Sequence, residues 1–184
     1  RAASVQSALD SLRPAAVVVE VPSNPLLRCI DLAVIAKLAH QRNIPVIADD
    51  TIGSGLNVDA LPYVDLVFSS LTKSFAGRGD VLAGSLVLSP HSRWHAQFID
   101  AARQRPPLAP LADGDATVLE QGSRDVADRI PRLNANTLLL AARLRQHPAV
   151  ARVFHPADCE NFRQLQRPGG GHGLSLIHIS EPTR

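Results

Sequence analysis

The sequence predicts an α/β fold with a central, mostly parallel sheet and helices on both of its faces. Three observations support this prediction. Short β-branched apolar runs recur along the chain, a helical pattern separates the first two of them, and polar residues directly follow several runs. Strands that are apolar along their whole length are buried on both faces, which is typical of parallel sheets covered by helices.

Four apolar runs predict the strands of this sheet: residues 15–21 (AAVVVEV), 45–48 (PVIA), 64–69 (VDLVFS) and 84–88 (GSLVL). Between the first two runs, Asp31 is a suitable N-terminal cap for a helix that extends to about Arg42. The connection between the third and fourth strands is short, which predicts that one of them runs antiparallel.

The second half of the chain is predicted to be mainly helical. We expect a helix from Trp94 to about Arg103, a surface loop over residues 106–115, and a helix over residues 125–146 that is kinked or interrupted near Pro131. His147 and Pro148 end that helix, and residues 149–154 are expected to form a further strand.

These boundaries predict the organisation of the chain. Residues 1–146 are interpreted as part of a large domain, and residues 147–173 as the start of a smaller C-terminal domain. Residues 174–184 have no clean period and are interpreted as a non-native tail. Because the chain begins with Arg1 and contains no methionine, we interpret it as a fragment.

Composition excludes several classes of function. Hydrophobic residues make up 45% and charged residues 20%, as in ordinary globular proteins. A net charge of +2 gives no reason to expect a nucleic acid or an anionic membrane as partner. Cys29 and Cys159 lie in unrelated contexts without metal-ligand spacing, so we expect no metal site, free thiols and a cytoplasmic protein.

Polar side chains follow three of the predicted strands. Residues 20–24 follow the first strand, Asp49 ends the second, and residues 70–73 (SLTK) follow the third. In a parallel sheet, ligands bind in the crevice beyond the carboxyl ends of the strands. One crevice would therefore hold a carboxylate, hydroxyls, an amide and an amine, which is a set suited to the cofactor pyridoxal 5′-phosphate (PLP).

Each need of a PLP site has a candidate here. Lys73 would form the Schiff base, Asp49 would keep the pyridine nitrogen protonated, and Ser70 and Thr72 would bind the phosphate. The alternatives are ordinary ones: a surface lysine, an aspartate that caps a turn, and hydroxyls that bond to turn backbone. Asp50 is the competitor of Asp49, which we favour because it is the first residue after the strand.

Several ordered motifs resemble the Cys/Met-metabolism family of PLP enzymes. They are EVPSNPLL (20–27), IADDT (47–51) and SSLTKSFAG (69–77). The strings DDTIGSGLNVDALP (49–62), GSLVLSP (84–90) and GSRDVADRIPRLNAN (122–136) are most similar to the fungal-type cystathionine γ-synthase branch. The likeness extends from about residue 12 to residue 170.

The resemblance implies roles for matching positions. Lys73 is the expected Schiff-base lysine, Asp49 the partner of the pyridine nitrogen, Ser70 and Thr72 the phosphate ligands, and Asn24 a contact of the ring hydroxyl or the substrate. Glu20 occupies an acidic position in the wall of the site. The family implies fold type I transferase architecture, small amino-acid substrates, and tetramers built from catalytic dimers.

The same resemblance predicts PLP-dependent γ-replacement, in which cysteine reacts with an O-acylhomoserine to give cystathionine. The alternatives are lyase or sulfhydrylase activity on the same scaffold, or a homologue without catalysis. Ala76, Arg78 and Gly79 depart from the family pattern just after the lysine, which affects expectations for the loop and for substrate preference. The family's upstream tyrosines and downstream arginine have no counterpart, so the chain by itself is expected to be inactive.

Overall fold

A computed structural model describes residues 2–104 and 111–180 of the chain. Its main sheet has four strands in the order β1-β2-β3-β4. They are β1 (Val17–Glu20), β2 (Val46–Asp49), β3 (Leu66–Ser70) and β4 (Gly84–Leu88). The first three strands are parallel and β4 is antiparallel to β3. The prediction of a mostly parallel sheet with one antiparallel strand is therefore confirmed.

Within the described residues, six α-helices accompany the strands. They are α1 (Ala2–Leu12), α2 (Leu32–His40), α3 (His95–Gln104), α4 (Asp113–Ser123), α5 (Val126–Arg145) and α6 (Glu160–Arg163). The carboxylate of Asp31 accepts a hydrogen bond of 3.0 Å from the N–H of Val34, so the predicted cap of α2 is confirmed.

Two predictions about the second half of the chain are corrected by the structure. The predicted loop over residues 106–115 lies partly outside the described residues, and α4 begins within it at Asp113. Helix α5 continues through Pro131, which contradicts an interruption there and leaves the kink as a prediction. Proline removes only one backbone hydrogen bond at this point, and buried Ile130, Thr137 and Ala141 hold the helix against its neighbours.

The hydrophobic core covers one face of the main sheet. Buried side chains of β2 and β3 pack there with residues of α2 and of the C-terminal segment, among them Val46, Ala48, Leu32, Phe162 and Leu165. Side chains alternate along a strand, so Ala48 and Asp49 point to opposite faces. On the opposite face Val18 and Leu86 are exposed.

The C-terminal segment forms a second, small sheet. Strand β5 (Val150–Phe154) confirms the predicted strand at 149–154, and β6 (Ile177–Ser180) pairs with it antiparallel. Between them lie a 3₁₀ helix (Pro156–Asp158) and α6. The division into a large and a small domain stays a prediction, as does the non-native origin of residues 174–184. Among the described residues, no helix is long and apolar enough to cross a membrane.

Two asparagine side chains join distant parts of the chain. Asn57 is buried, and its amide donates to Asn134 Oδ1 at 3.2 Å while Asn134 Nδ2 donates to Asn57 Oδ1 at 2.8 Å. The N–H groups of Gly171 and Gly173 donate to the same two oxygens, each at 2.9 Å. A Cβ at Gly170 would lie 2.2 Å from the carbonyl oxygen of Asn57. The glycines therefore allow residues 170–173 to pack directly against the turn after β2.

Candidate active site

The carboxyl ends of β1, β2 and β3 open into one cavity of about 740 Å³. Glu20 and Asp49 are directly paired residues at the ends of β1 and β2. Asn24, Asp49, Ser70 and Lys73 all line this cavity. The structure thus brings four of the five residues predicted for the site to one place. A parallel register explains this, because it aligns the strand ends at a single edge of the sheet.

Asp49 and Asp50 lie on opposite sides of the sheet. Asp49 is half-buried, lines the cavity, and accepts a hydrogen bond of 2.9 Å from the N–H of Thr51. Asp50 is buried on the other side and accepts a hydrogen bond from the hydroxyl of Ser69. Only Asp49 therefore faces the same space as Lys73.

Burial raises the pKa of Asp50, and the negative charge of Asp49 acts in the same direction. The hydrogen bond from Ser69 opposes this effect and lowers the pKa. Burial is the largest of these contributions, so the carboxyl group of Asp50 is held towards its neutral form.

The turn after β3 carries the predicted lysine and hydroxyls. The N–H of Ser70 donates to the hydroxyl of Thr51 at 2.8 Å, which fixes the end of β3 to the turn after β2. Lys73 is exposed, and its amine has no hydrogen-bond or ion-pair partner within residues 2–104 and 111–180. Thr72 differs: it is not part of the cavity wall, and its hydroxyl accepts a bond of 3.1 Å from the N–H of Ala83.

The loop after β1 places Asn24 in the cavity wall. Its backbone N–H donates to the carboxylate of Glu20 at 3.1 Å, so the acidic residue supports the loop. Leu27 is fully buried beneath the same wall. The side-chain amide of Asn24 has both a donor and an acceptor to offer to a ligand.

Sequence reasoning missed several residues of the cavity wall. Thr51 and Ile52 come from the turn after β2, and Asn136, Thr137 and Leu140 come from α5. Residues 174–177 close the remaining side. The motif around residues 122–136 was the available signal for α5, but the sequence pattern did not show which side of that helix faces the cavity.

The residues of this cavity fit PLP. Its volume lies within the roughly 300–1,000 Å³ that small-molecule sites occupy. The amine of Lys73, the carboxylate of Asp49 and the hydroxyl of Ser70 are the groups that the aldehyde, the pyridine nitrogen and the phosphate require. Lys73 would hold the aldehyde and Asp49 the ring nitrogen.

Comparison with known proteins agrees with this chemistry. The model of the family described as Cys/Met metabolism PLP-dependent enzyme matches residues 1–177. Cystathionine gamma-synthase of Neurospora crassa is 36% identical over 167 residues, which are 87% of this chain and 26% of that protein. An alanine racemase of Aspergillus violaceofuscus is 39% identical over 145 residues, which are 76% of this chain and 25% of that protein.

A solved structure shows the same fold. Cystathionine gamma-lyase of Lactobacillus plantarum, in complex with L-serine, superposes with a TM-score of 0.82 at 26% identity. The superposition covers 99% of this chain and 48% of that one. The chain thus spans about a quarter of the curated relatives named above and about half of this structure. Its α/β architecture is that of fold type I PLP enzymes, and the chain belongs to the Cys/Met metabolism family of PLP-dependent enzymes.

Proposed function

We propose that the complete protein catalyses PLP-dependent γ-replacement, in which the cysteine thiolate replaces the acyloxy group at Cγ of an O-acylhomoserine to give cystathionine and a free carboxylate. The observation that carries the proposal is the shared cavity of Lys73 and Asp49. When bound, PLP supplies an electron sink that stabilises negative charge at the substrate Cα. The activities of the named relatives differ, and the fungal-type motifs favour the synthase among them.

Lys73 has two tasks in this proposal. Its amine would hold the cofactor aldehyde in the resting enzyme and, when free beside a bound substrate, would take the proton from Cα. The structure suits both tasks, because the amine has no partner among the described residues and extends on a flexible side chain at the cavity wall. The same amine would then take a proton from Cβ, so that the acyloxy group leaves Cγ as a carboxylate and the cysteine thiolate bonds to Cγ in its place.

Asp49 would hold the proton on the pyridine nitrogen. Its carboxylate is oriented by the N–H of Thr51 at 2.9 Å, so it is positioned before the cofactor binds. Ser70 and Thr72 are the proposed phosphate ligands. Ser70 already lines the cavity, whereas Thr72 would have to turn its O–H from the carbonyl oxygen of Ala83, 3.5 Å away, to the phosphate. Asn24 would contact the ring hydroxyl or the substrate.

The assembly and location of the protein are also proposals. We expect a homotetramer built from catalytic dimers, acting on small amino-acid substrates in the cytoplasm. Light scattering on the complete protein would measure the assembly, and a monomer at micromolar concentration would contradict it.

The first experiment tests the cofactor site. Purified complete protein with PLP should absorb visible light as a lysine-bound cofactor does, and Lys73→Ala should abolish that absorption. Lys37 is the other lysine of the chain and lies exposed on α2, so Lys37→Ala is the matched control and should retain the spectrum. Borohydride reduction followed by peptide mass spectrometry should place the cofactor on Lys73. An unchanged spectrum in Lys73→Ala would refute the assignment.

The second experiment separates the activities. The complete enzyme is incubated either with O-succinyl- or O-acetylhomoserine plus cysteine, or with cystathionine alone. Formation of cystathionine supports the proposal, whereas cleavage of cystathionine indicates a lyase. Protein that binds PLP but turns over neither mixture would indicate another reaction of this family. Failure to bind PLP would indicate a homologue without catalysis.

A further inference from the structure

The turn that carries Lys73 ends in carbonyl groups that need partners outside the turn. Within the turn, the N–H of Ala76 donates to Leu71 at 2.8 Å, and the N–H of Gly77 donates to Lys73 at 2.9 Å. Gly77 has a φ of +83°, which reverses the chain as at the end of a helix. The carbonyl oxygens of the residues just after the lysine are therefore left without a partner in the turn itself.

Arg129 of α5 supplies those partners. Its Nη2 donates to the carbonyl oxygens of Phe75 at 2.7 Å and Ser74 at 3.3 Å, and to that of Gly122 at 2.8 Å. Its Nη1 donates to the carboxylate of Asp125. The side chain of Arg129 is 17% exposed, so these bonds form largely out of water. A charged donor makes such bonds stronger than a neutral one would.

The guanidinium group of Arg129 packs closely against the turn that follows Lys73. A Cβ at Gly77 would lie 2.7 Å from Arg129 Cζ, so the glycine lets the flat group lie against the backbone of the turn. At Gly122 a Cβ would lie 2.5 Å from the carbonyl oxygen of Ala76, which shows that the end of α4 touches the same turn. Lysine, as a point charge, cannot reproduce the planar set of donors.

Arg129 also connects the two walls of the cavity. Two turns further along α5, Asn136 and Thr137 line the cavity opposite the strand ends. The turn bonded to Arg129 carries Lys73. The arginine therefore fixes the lysine-bearing turn to the helix that forms the other wall.

We infer that Arg129 is a positioning residue, which sets the place of Lys73 in the cavity by binding the carbonyl groups of the following turn. This inference rests on the proposed function, because it concerns the approach of Lys73 to the cofactor. The lysine amine has no partner of its own among the described residues, so the backbone of the turn decides where its flexible stem begins.

The test compares Arg129→Ala, Arg129→Lys and Arg132→Ala in the complete protein. Arg132 is the matched control, because it lies on the same helix, faces Asp125 at 3.9 Å and is 71% exposed. Loss of charge-assisted bonds in Arg129→Ala should weaken PLP binding at least roughly tenfold and shift the pH at which the visible absorption changes. Arg129→Lys should show a smaller change of the same kind, and Arg132→Ala none.

Two further measurements separate positioning from general stability. Hydrogen exchange of the cofactor-free protein should show lost protection over residues 71–79 in Arg129→Ala, with the strands still protected. Methylguanidine in the buffer should restore PLP affinity to Arg129→Ala and leave Arg132→Ala unchanged. If Arg129→Ala does not fold, Arg129→Lys decides the question through the same spectrum and exchange.

The outcomes distinguish this inference from the proposed function. Wild-type affinity, absorption and exchange in Arg129→Lys, or in a folded Arg129→Ala, would overturn the inference while Lys73→Ala still lost the absorption. A wild-type protein without a Lys73-dependent absorption would instead remove the proposed function. The exchange experiment would then still report whether Arg129 holds the turn.

Discussion

The hydroxyl of Ser69 donates a hydrogen bond to the buried carboxyl group of Asp50, on the face of the sheet opposite to Asp49. This bond joins the ends of β3 and β2. The next residue on β3 is Ser70 and the preceding one on β2 is Asp49, and both of these face the cavity. A polar pair on one face therefore holds together two candidate cofactor ligands on the other.

Replacing Asp50 by asparagine should change how stability depends on pH. Burial raises the folded-state pKa of Asp50 above its ordinary value of 3.8, so the folded protein binds a proton that the unfolded chain releases. The protonated carboxyl group of Asp50 therefore contributes to the free energy of unfolding below pH 3.8, and this contribution is lost as the pH rises through the folded-state pKa.

Asp50→Asn should not lose stability in this way as the pH rises, because the amide does not ionise. Urea unfolding of the complete protein between pH 4 and pH 8 would measure the difference in unfolding free energy between the variant and the wild type. Asp80 is exposed, so Asp80→Asn is the control and should follow the wild type. If the free energy of Asp50→Asn relative to wild type is constant across this range, Asp50 does not titrate as inferred.

Gly122 and Gly114 offer a matched pair within α4. A Cβ at Gly122 would lie 2.5 Å from the carbonyl oxygen of Ala76, a backbone atom in the turn after Lys73. A Cβ at Gly114 would have no neighbour within 4 Å. Gly122→Ala should therefore destabilise the protein by about 1–3 kcal/mol through overpacking. Gly114→Ala should be neutral or stabilise it by up to about 1 kcal/mol.

Urea unfolding and PLP titration of the two variants would check this expectation. Gly122→Ala should also bind PLP more weakly, since the turn that must move carries the lysine. Equal stability of the two variants would show that α4 can move away from the turn without cost, which would contradict the close contact.

The parts of the fold that the sequence predicted are those with a local cause. The β-branched runs of the main sheet form strands whose side chains on one face pack in the core, and Asp31 caps α2 through a bond to a residue three positions later. Helix α4 was missed because it is polar and buries only Gly122. It is held by contact with the turn after β3, which no local pattern encodes.

The same distinction applies to the candidate site. Asp49 and Ser70 end strands and Lys73 follows one, and the parallel register brings them together, so their proximity could be predicted. Asn136 and Thr137 could not, because the orientation of α5 depends on bonds such as the one between Asn57 and Asn134, which are 77 residues apart.

The two cysteines show the limit of reasoning from local context. Both are free thiols, as predicted, but their contexts are not unrelated. The N–H of Cys29 donates to the sulfur of Cys159 at 3.2 Å, although 130 residues separate them. Burial raises the pKa of the Cys29 thiol to about 12, and the proximity of Cys159 adds to this. Tertiary contact alone brings the pair together.

His155 should make the protein less stable in mild acid. It is almost fully buried, its Nδ1 accepts a bond of 3.2 Å from the N–H of Ala157, and its Nε2 has no partner among the described residues. Burial lowers the pKa of His155 to about 4, and the charge of nearby His172 acts in the same direction. The folded protein therefore keeps a neutral imidazole where the unfolded chain takes up a proton.

The direction of the pH dependence follows from this difference between the folded and unfolded states. Above pH 6.5 the histidine is neutral in both states, and its contribution to the free energy of unfolding is complete. That contribution is lost as the pH falls from 6.5 towards about 4. A pKa difference of this size between the two states corresponds to at most about 3 kcal/mol of unfolding free energy. His155→Asn should remove this loss and keep an acceptor for the N–H of Ala157, because asparagine also caps helix starts.

Urea unfolding of the complete protein at intervals between pH 7 and pH 4 would measure the effect. The free energy of unfolding should fall less steeply in His155→Asn than in wild type, whatever the two values are at pH 7. His91 is exposed on the loop after β4, so His91→Asn serves as the control and should follow the wild-type curve. Parallel curves for His155→Asn and wild type would mean that the buried imidazole is protonated in the folded protein. The small sheet of β5 and β6 would then have to move so that water or a carboxylate could reach Nε2.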